Sequence, residues 1–85
     1  MRYTVIFSPT AEQNLADIYN NAPDKWSITW ASDVLERLLQ RDAHKVGRTC
    51  DGDRIVCVSP LLAFFAVYPD DCRVEVLQLS YLESV

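Results

Sequence analysis

Leu61-Leu62-Ala63-Phe64-Phe65-Ala66-Val67-Tyr68 is an unbroken apolar run of eight residues, and how it is read decides the fold. It is too short for a bilayer-crossing helix, which needs roughly 20 residues, and it is rich in the aromatic and β-branched types that favour strands. Ser59-Pro60 interrupts the chain before it and Pro69-Asp70-Asp71 turns the chain after it, so the run is an interior strand with apolar neighbours on both faces. Working outward, Arg54 to Ser59 and Arg73 to Leu79 carry the same β-rich composition, and Asp51-Gly52-Asp53 supplies turn chemistry ahead of them. Three strands joined by tight turns make an antiparallel meander.

The first half of the chain has a different period. Arg2 to Ser8 sets Tyr3, Val5 and Phe7 on one side and Thr4 and Ile6 on the other, which is a strand. Ser8-Pro9 is a helix cap followed by the residue suited to the first helical position, and Thr10 with Gln13 offers a capping box two residues later. Ala11, Leu15, Ile18, Tyr19 and Ala22 then form one stripe until Pro23 stops the helix. Asp24 or Ser27 caps a second helix running to about Arg41 or Lys45, with Ile28, Ala31, Leu35 and Leu38 on its apolar face and Trp30, Val34 and Leu39 widening it. On this reading Trp30 packs in the core, while Trp26 is as well placed for an exposed docking patch as for the core. The connection is short enough to force a helical hairpin. Strand, helical hairpin and three-stranded antiparallel meander define a single α+β domain over residues 1–85.

Composition narrows the function. With 49% hydrophobic and 24% charged residues but only 2 Gly and 4 Pro, the chain is neither disordered nor a coiled coil. A domain of this size hides only about 60% of its unfolded surface, so an oligomeric or bound state is an expected source of added stability. The net charge of −4 opposes binding to phosphate backbones. Yet residues 37–54 hold five basic and three acidic side chains, so any anion contact belongs there, unless this is simply a solvated surface. Cys50, Cys57 and Cys72 are odd in number, lack a C-x-x-C spacing and, even with His44, fit no familiar zinc site. Reduced thiols, no metal, no cofactor and a cytoplasmic location are expected, with no signal-peptide pattern and no membrane span. The Asp51/Asp53 and Asp70/Asp71 pairs read as turn residues rather than catalytic carboxylates.

Tyr3-Thr4-Val5-Ile6-Phe7-Ser8-Pro9 with Ala11 and Leu15, Gly47 and Arg48 ahead of Arg54, the strand ending Val67-Tyr68, and Arg73-Val74-Glu75-Val76-Leu77-Gln78-Leu79 after an acidic turn together resemble the RelE/ParE toxin superfamily of bacterial toxin–antitoxin and plasmid-stabilisation systems. The resemblance spans nearly the whole chain. It implies a growth-blocking protein held harmless by a cognate antitoxin, from a superfamily in which one branch cleaves messenger RNA on the ribosome and another poisons DNA gyrase. Metal-free RNA cleavage needs a proton acceptor, a donor for the leaving oxygen and cations around the transition-state charge.

Carried over by position, the resemblance implies Arg54 as the phosphate-holding arginine, Lys45 and Arg48 as the basic loop and Tyr81 as the C-terminal catalytic residue. The residues themselves leave other roles open. Arg54 can pair with Asp51 or Asp53, Tyr81 can be a core or edge aromatic, and His44, the chain's one histidine, can be an exposed helix end. Ser80-Tyr81-Leu82-Glu83 has no basic residue where the nuclease branch has one, and the acidic balance also disfavours an RNA substrate. The expected activity is therefore binding to a protein target, with endoribonuclease cleavage or a non-toxic interaction domain as alternatives. A homodimer is a further possible state.

Overall fold

The computed structural model describes residues 2–50 and 52–82. Its elements are β1 (Thr4–Phe7), α1 (Pro9–Asn21), α2 (Lys25–Asp42), β2 (Arg48–Cys50), β3 (Asp53–Val58), β4 (Leu61–Tyr68), a 3₁₀ turn (Pro69–Asp71) and β5 (Arg73–Tyr81). One sheet contains all five strands in the order β1-β5-β4-β3-β2. β1 runs parallel to β5, and every other pairing is antiparallel. The architecture is the expected α+β one, with two differences. The sheet is mixed, and Arg48-Thr49-Cys50, expected as part of a loop, forms a fourth meander strand on the edge. Three residues without alternating apolarity give no strand signal, and short, charged edges are how sheets discourage unwanted pairing.

Local chemistry explains the helix ends. Ser8 caps α1, its hydroxyl accepting from the Ala11 amide at 3.1 Å, with Pro9 in the first helical turn. Asp24 caps α2, its carboxylate accepting from the amides of Trp26 and Ser27 and from the Ser27 hydroxyl at 2.6 Å. Ser8, the cap, and Asn14 of α1 also serve the sheet. The β4–β5 register shifts beside Phe64 and Phe65, and such a bulge leaves backbone groups without a strand partner. Ser8 donates to the Leu77 carbonyl at 3.0 Å, and the Asn14 amide oxygen accepts from the Leu79 amide at 3.1 Å.

Both helices lie on one side of the sheet. Strand partners point the same way, so Val56, Ala63, Phe65, Val74, Val76 and Leu79 share that inner side. The four buried most completely, Ala63, Phe65, Val74 and Val76, join Leu79, Ala11 of α1, and Leu35 and Leu39 of α2 in one cluster. Ile28, Ala31 and Leu61 form a second cluster at the other end of α2. Each fully buried Leu, Ile or Phe contributes about 1.5–3 kcal/mol through surface removed from water. Trp30 corrects the sequence reading: it is 54% exposed and Trp26 is 74% exposed. At 100° per residue Trp30 falls about 160° from Ile28 and 140° from Leu35, so it points to solvent despite its hydropathy. No helix among the described residues is long and apolar enough to cross a membrane.

Candidate functional site

Two surfaces carry exposed chemistry around the sheet. The first is a cleft where α2 ends and β2 begins, of about 280 Å³, lined by His44, Thr49, Gly52, Arg54, Val67 and Pro69. Arg54 opposes Phe65 in the β3–β4 register, which sends its side chain to the inner side. There its Nε and Nη2 donate to the Val46 carbonyl at 3.0 and 2.8 Å. No ion pair to Asp53 forms, and Asp51 lies outside the described residues. The guanidinium thus ties the loop after α2 to the sheet, and two of its donors are already committed to a carbonyl. Its Nη1 remains for an anion. His44 is exposed beside it, its ring 6.0 Å from that of buried Tyr3.

The remaining candidates are dispersed. Arg48 pairs with Ile55, which places it on the sheet's outer side, exposed. Lys45 is exposed in the turn following α2. Tyr81 pairs with Leu61 at the far end of β4, whereas Arg54 pairs with Phe65. Four residues along the strand and two inter-strand steps separate them by about 16 Å. The structure gathers Arg54 with His44 but leaves Arg48 and Tyr81 away from that cleft. Among the described residues no group of His, Cys, Asp or Glu is arranged to hold a metal ion. Cys57 is exposed and Cys72 half-buried, both as free thiols.

The second surface is the outer side of the sheet. Leu62, Phe64, Ala66 and Tyr68 run down β4, flanked on one side by Ile55 and Cys57 of β3; on the other side β5 presents Ser80, Gln78, Glu75 and Arg73, which separate the row from Ile6 of β1. Leu62, Phe64 and Ala66 are half-buried, while Ile6 and Tyr68 are exposed. Arg73 closes one end of the row, its guanidinium carbon 4.6 Å from the centre of the Tyr68 ring. No helix among the described residues covers this side. An uncovered apolar row bordered by polar side chains is the kind of surface that marks interaction sites, and the sequence signal for it is the unbroken run from Leu61 to Tyr68.

No protein-family model matches the chain, and no curated protein matches it in sequence. Solved structures do match it in fold. The RelBE2 toxin–antitoxin complex of Mycobacterium tuberculosis contains a chain similar at TM-score 0.80 and 16% identity, over 95% of this chain and 92% of that one. A chromosomal ParDE system from P. aeruginosa matches at TM-score 0.69 and 19% identity, over 96% and 98% of the two chains. The isolated E. coli RelE toxin matches at 0.67 and 13%, over 98% and 87%.

Proposed function

Proceeding from this RelE/ParE toxin fold, we propose that the chain is the toxin of a type II toxin–antitoxin pair, acting by binding a protein target and neutralised by a cognate antitoxin. The observation that carries the proposal is the fold likeness across 95% of the chain to part of a RelBE2 toxin–antitoxin complex. The uncovered apolar row of β4 and β3 on the outer side of the sheet supports a protein target, because apolar anchors and open sheet edges are what a partner strand or helix engages. The charge supports it as well: at −4 the chain gains little from a phosphate backbone. DNA gyrase, the target of one branch of the superfamily, fits this reading better than ribosomal messenger RNA.

Cleavage of messenger RNA on the ribosome is the second reading, favoured by the meeting of Arg54 and His44 in one cleft. Expression in a bacterial host separates the two. Under the protein-target reading the chain alone arrests growth, co-expression of the small protein encoded beside it restores growth, and His44→Ala arrests as strongly as the parent. His44 is the cleaner probe because Arg54 also anchors the Val46 loop. Normal growth with the chain alone refutes toxicity. Rapid messenger RNA cleavage that His44→Ala abolishes moves the assignment to the nuclease.

A further inference from the structure

The outer face of α2, turned away from the core, bears an unusual set of side chains. Trp26, Trp30, Asp33, Arg37 and Arg41 recur at intervals of four, three, four and four residues, which confines them to a stripe about 80° wide. Ile28, Ala31, Leu35 and Leu39 occupy the opposite, buried face. The two indoles, 74% and 54% exposed, occupy the N-terminal end of the stripe. The C-terminal end opens on a cleft of about 610 Å³ lined by Arg2, Arg37, Gln40, Arg41 and Asp42. In a chain with excess acid, three guanidinium groups and one carboxylate meet there.

We infer that α2 is a self-association surface, on which two copies of the chain pack their second helices antiparallel so that Trp30 of each meets Arg37 of the other and Trp26 meets Arg41. The spacing carries this. A two-fold axis between residues 33 and 34 pairs position 30 with 37 and position 26 with 41, so one axis satisfies both contacts. Aromatic faces attract guanidinium groups, and both gain when water is excluded. The indoles of one copy enter the arginine-lined cleft of the other, which has room for them. An isologous interface must be complementary to itself, and this stripe is, with its π faces at one end and its cations at the other. Asp33 lies next to the axis but is already paired to Arg37 at 3.0 Å, so the two carboxylates do not meet unneutralised. An acidic partner would satisfy the arginines and leave the tryptophans in water. This inference is independent of the toxin reading.

One helix face buries less than the roughly 1,200 Å² of a standard interface, so the dimer is weak and its population depends on concentration. Sedimentation velocity from about 1 µM to about 1 mM, spanning the weak-association range, should show monomer passing to dimer. Trp26 and Trp30 are the chain's only tryptophans, so their fluorescence should shift to the red on dilution. Trp26→Arg opposes two like charges twice per dimer and should raise the dissociation constant at least about tenfold. The exchange Trp26→Arg with Arg41→Trp rebuilds the pair in reverse and should bring the constant back to within about threefold of the parent, since pairs in contact are non-additive. Both positions are solvent-facing, and circular dichroism checks that each variant is folded. A parent monomeric throughout the range overturns the inference, as does a dimer indifferent to Trp26→Arg or a weakened dimer that the exchange fails to rescue.

Discussion

β4 places one Leu, one Ala and one Phe on each of its two sides, with different fates. Leu61, Ala63 and Phe65 on its inner side have no exposed surface, whereas Leu62, Phe64 and Ala66 on its outer side stay half-buried and Tyr68 is 38% exposed. The chain supplies helices for only one side. Apolar sequence therefore states that a surface gains from cover, and the topology decides whether the cover comes from the same chain or another. If so, the cost of substitution should fall steeply from the inner side to the outer. Phe65→Ala removes a ring from the centre of the core and should lower unfolding free energy by about 3–5 kcal/mol in urea titration. Equal destabilisation by Phe65→Ala and Phe64→Ala would erase the distinction between the two sides.

A pair of glycines sharpens the same contrast at slightly smaller magnitude. Gly47 and Gly52 both have positive φ, +80° and +88°, where a side chain is strained. A Cβ on Gly47 would strike the Ile55 carbonyl oxygen and lie 3.5 Å from the Phe65 ring, while one on Gly52 meets nothing within 4 Å. Gly47 is thus the point where the loop held by Arg54 closes over the inner side. Gly47→Ala should cost about 3 kcal/mol, the backbone strain plus a displaced strand, against about 1 kcal/mol for Gly52→Ala. Thermal unfolding of the two variants side by side measures the difference, and similar melting temperatures would show that the loop is not fastened to the core.

The outer side comes next. Phe64→Ala should cost about 1 kcal/mol, because a half-buried ring leaves no closed cavity. Its larger effect should be on partner binding, where a central aromatic anchor contributes about 2 kcal/mol or more. Titration of the proposed protein target and of the antitoxin against parent and Phe64→Ala reads this directly. Loss of stability without loss of affinity would mean that the outer side serves the fold alone.

What the sequence disclosed follows from the range of each signal. Ser8-Pro9, Pro23 and Asp24 act within one helical turn, so the boundaries of α1 and the start of α2 were readable. The bounds of β4 match the apolar run from Leu61 to Tyr68. Arg48-Thr49-Cys50 was not readable as a strand, because its pairing with β3 is set by the Gly52 turn and not by any period of its own. Trp30, read from the helical period as widening the apolar face of α2, lies about 160° from Ile28 and faces solvent. At the candidate site the sequence puts Arg54 on the right strand, but its partner, the Val46 carbonyl, is eight residues away beyond β2 and leaves no mark in composition. Tyr81 could not be placed relative to Arg54 at all. Their separation depends on strand register across β3, β4 and β5, including the bulge beside Phe64, and register is a property of the assembled sheet.

The smallest effect should come from an exposed position at the start of α2. There Asp24 holds its carboxyl below the ordinary value of 3.8, chiefly because the Ser27 hydroxyl donates to it, with the Ser27 amide as the next cause. Those bonds favour the charged form, so the folded chain takes up this proton less readily than the unfolded chain. The cap's contribution is complete above the unfolded pKa and is lost as pH falls through the lowered folded value. Asp24→Asn keeps an oxygen for the same amides and hydroxyl but cannot titrate. Every other carboxylate is common to the two proteins, so their difference in melting temperature isolates Asp24. That difference should be constant above about pH 5 and should move against the parent below about pH 4, by less than any inner-side substitution produces. A difference that stays constant down to pH 2 would mean that the cap is not charge-assisted. One as large as that of Gly47→Ala would mean that stability in this chain does not follow distance from the inner side of β4.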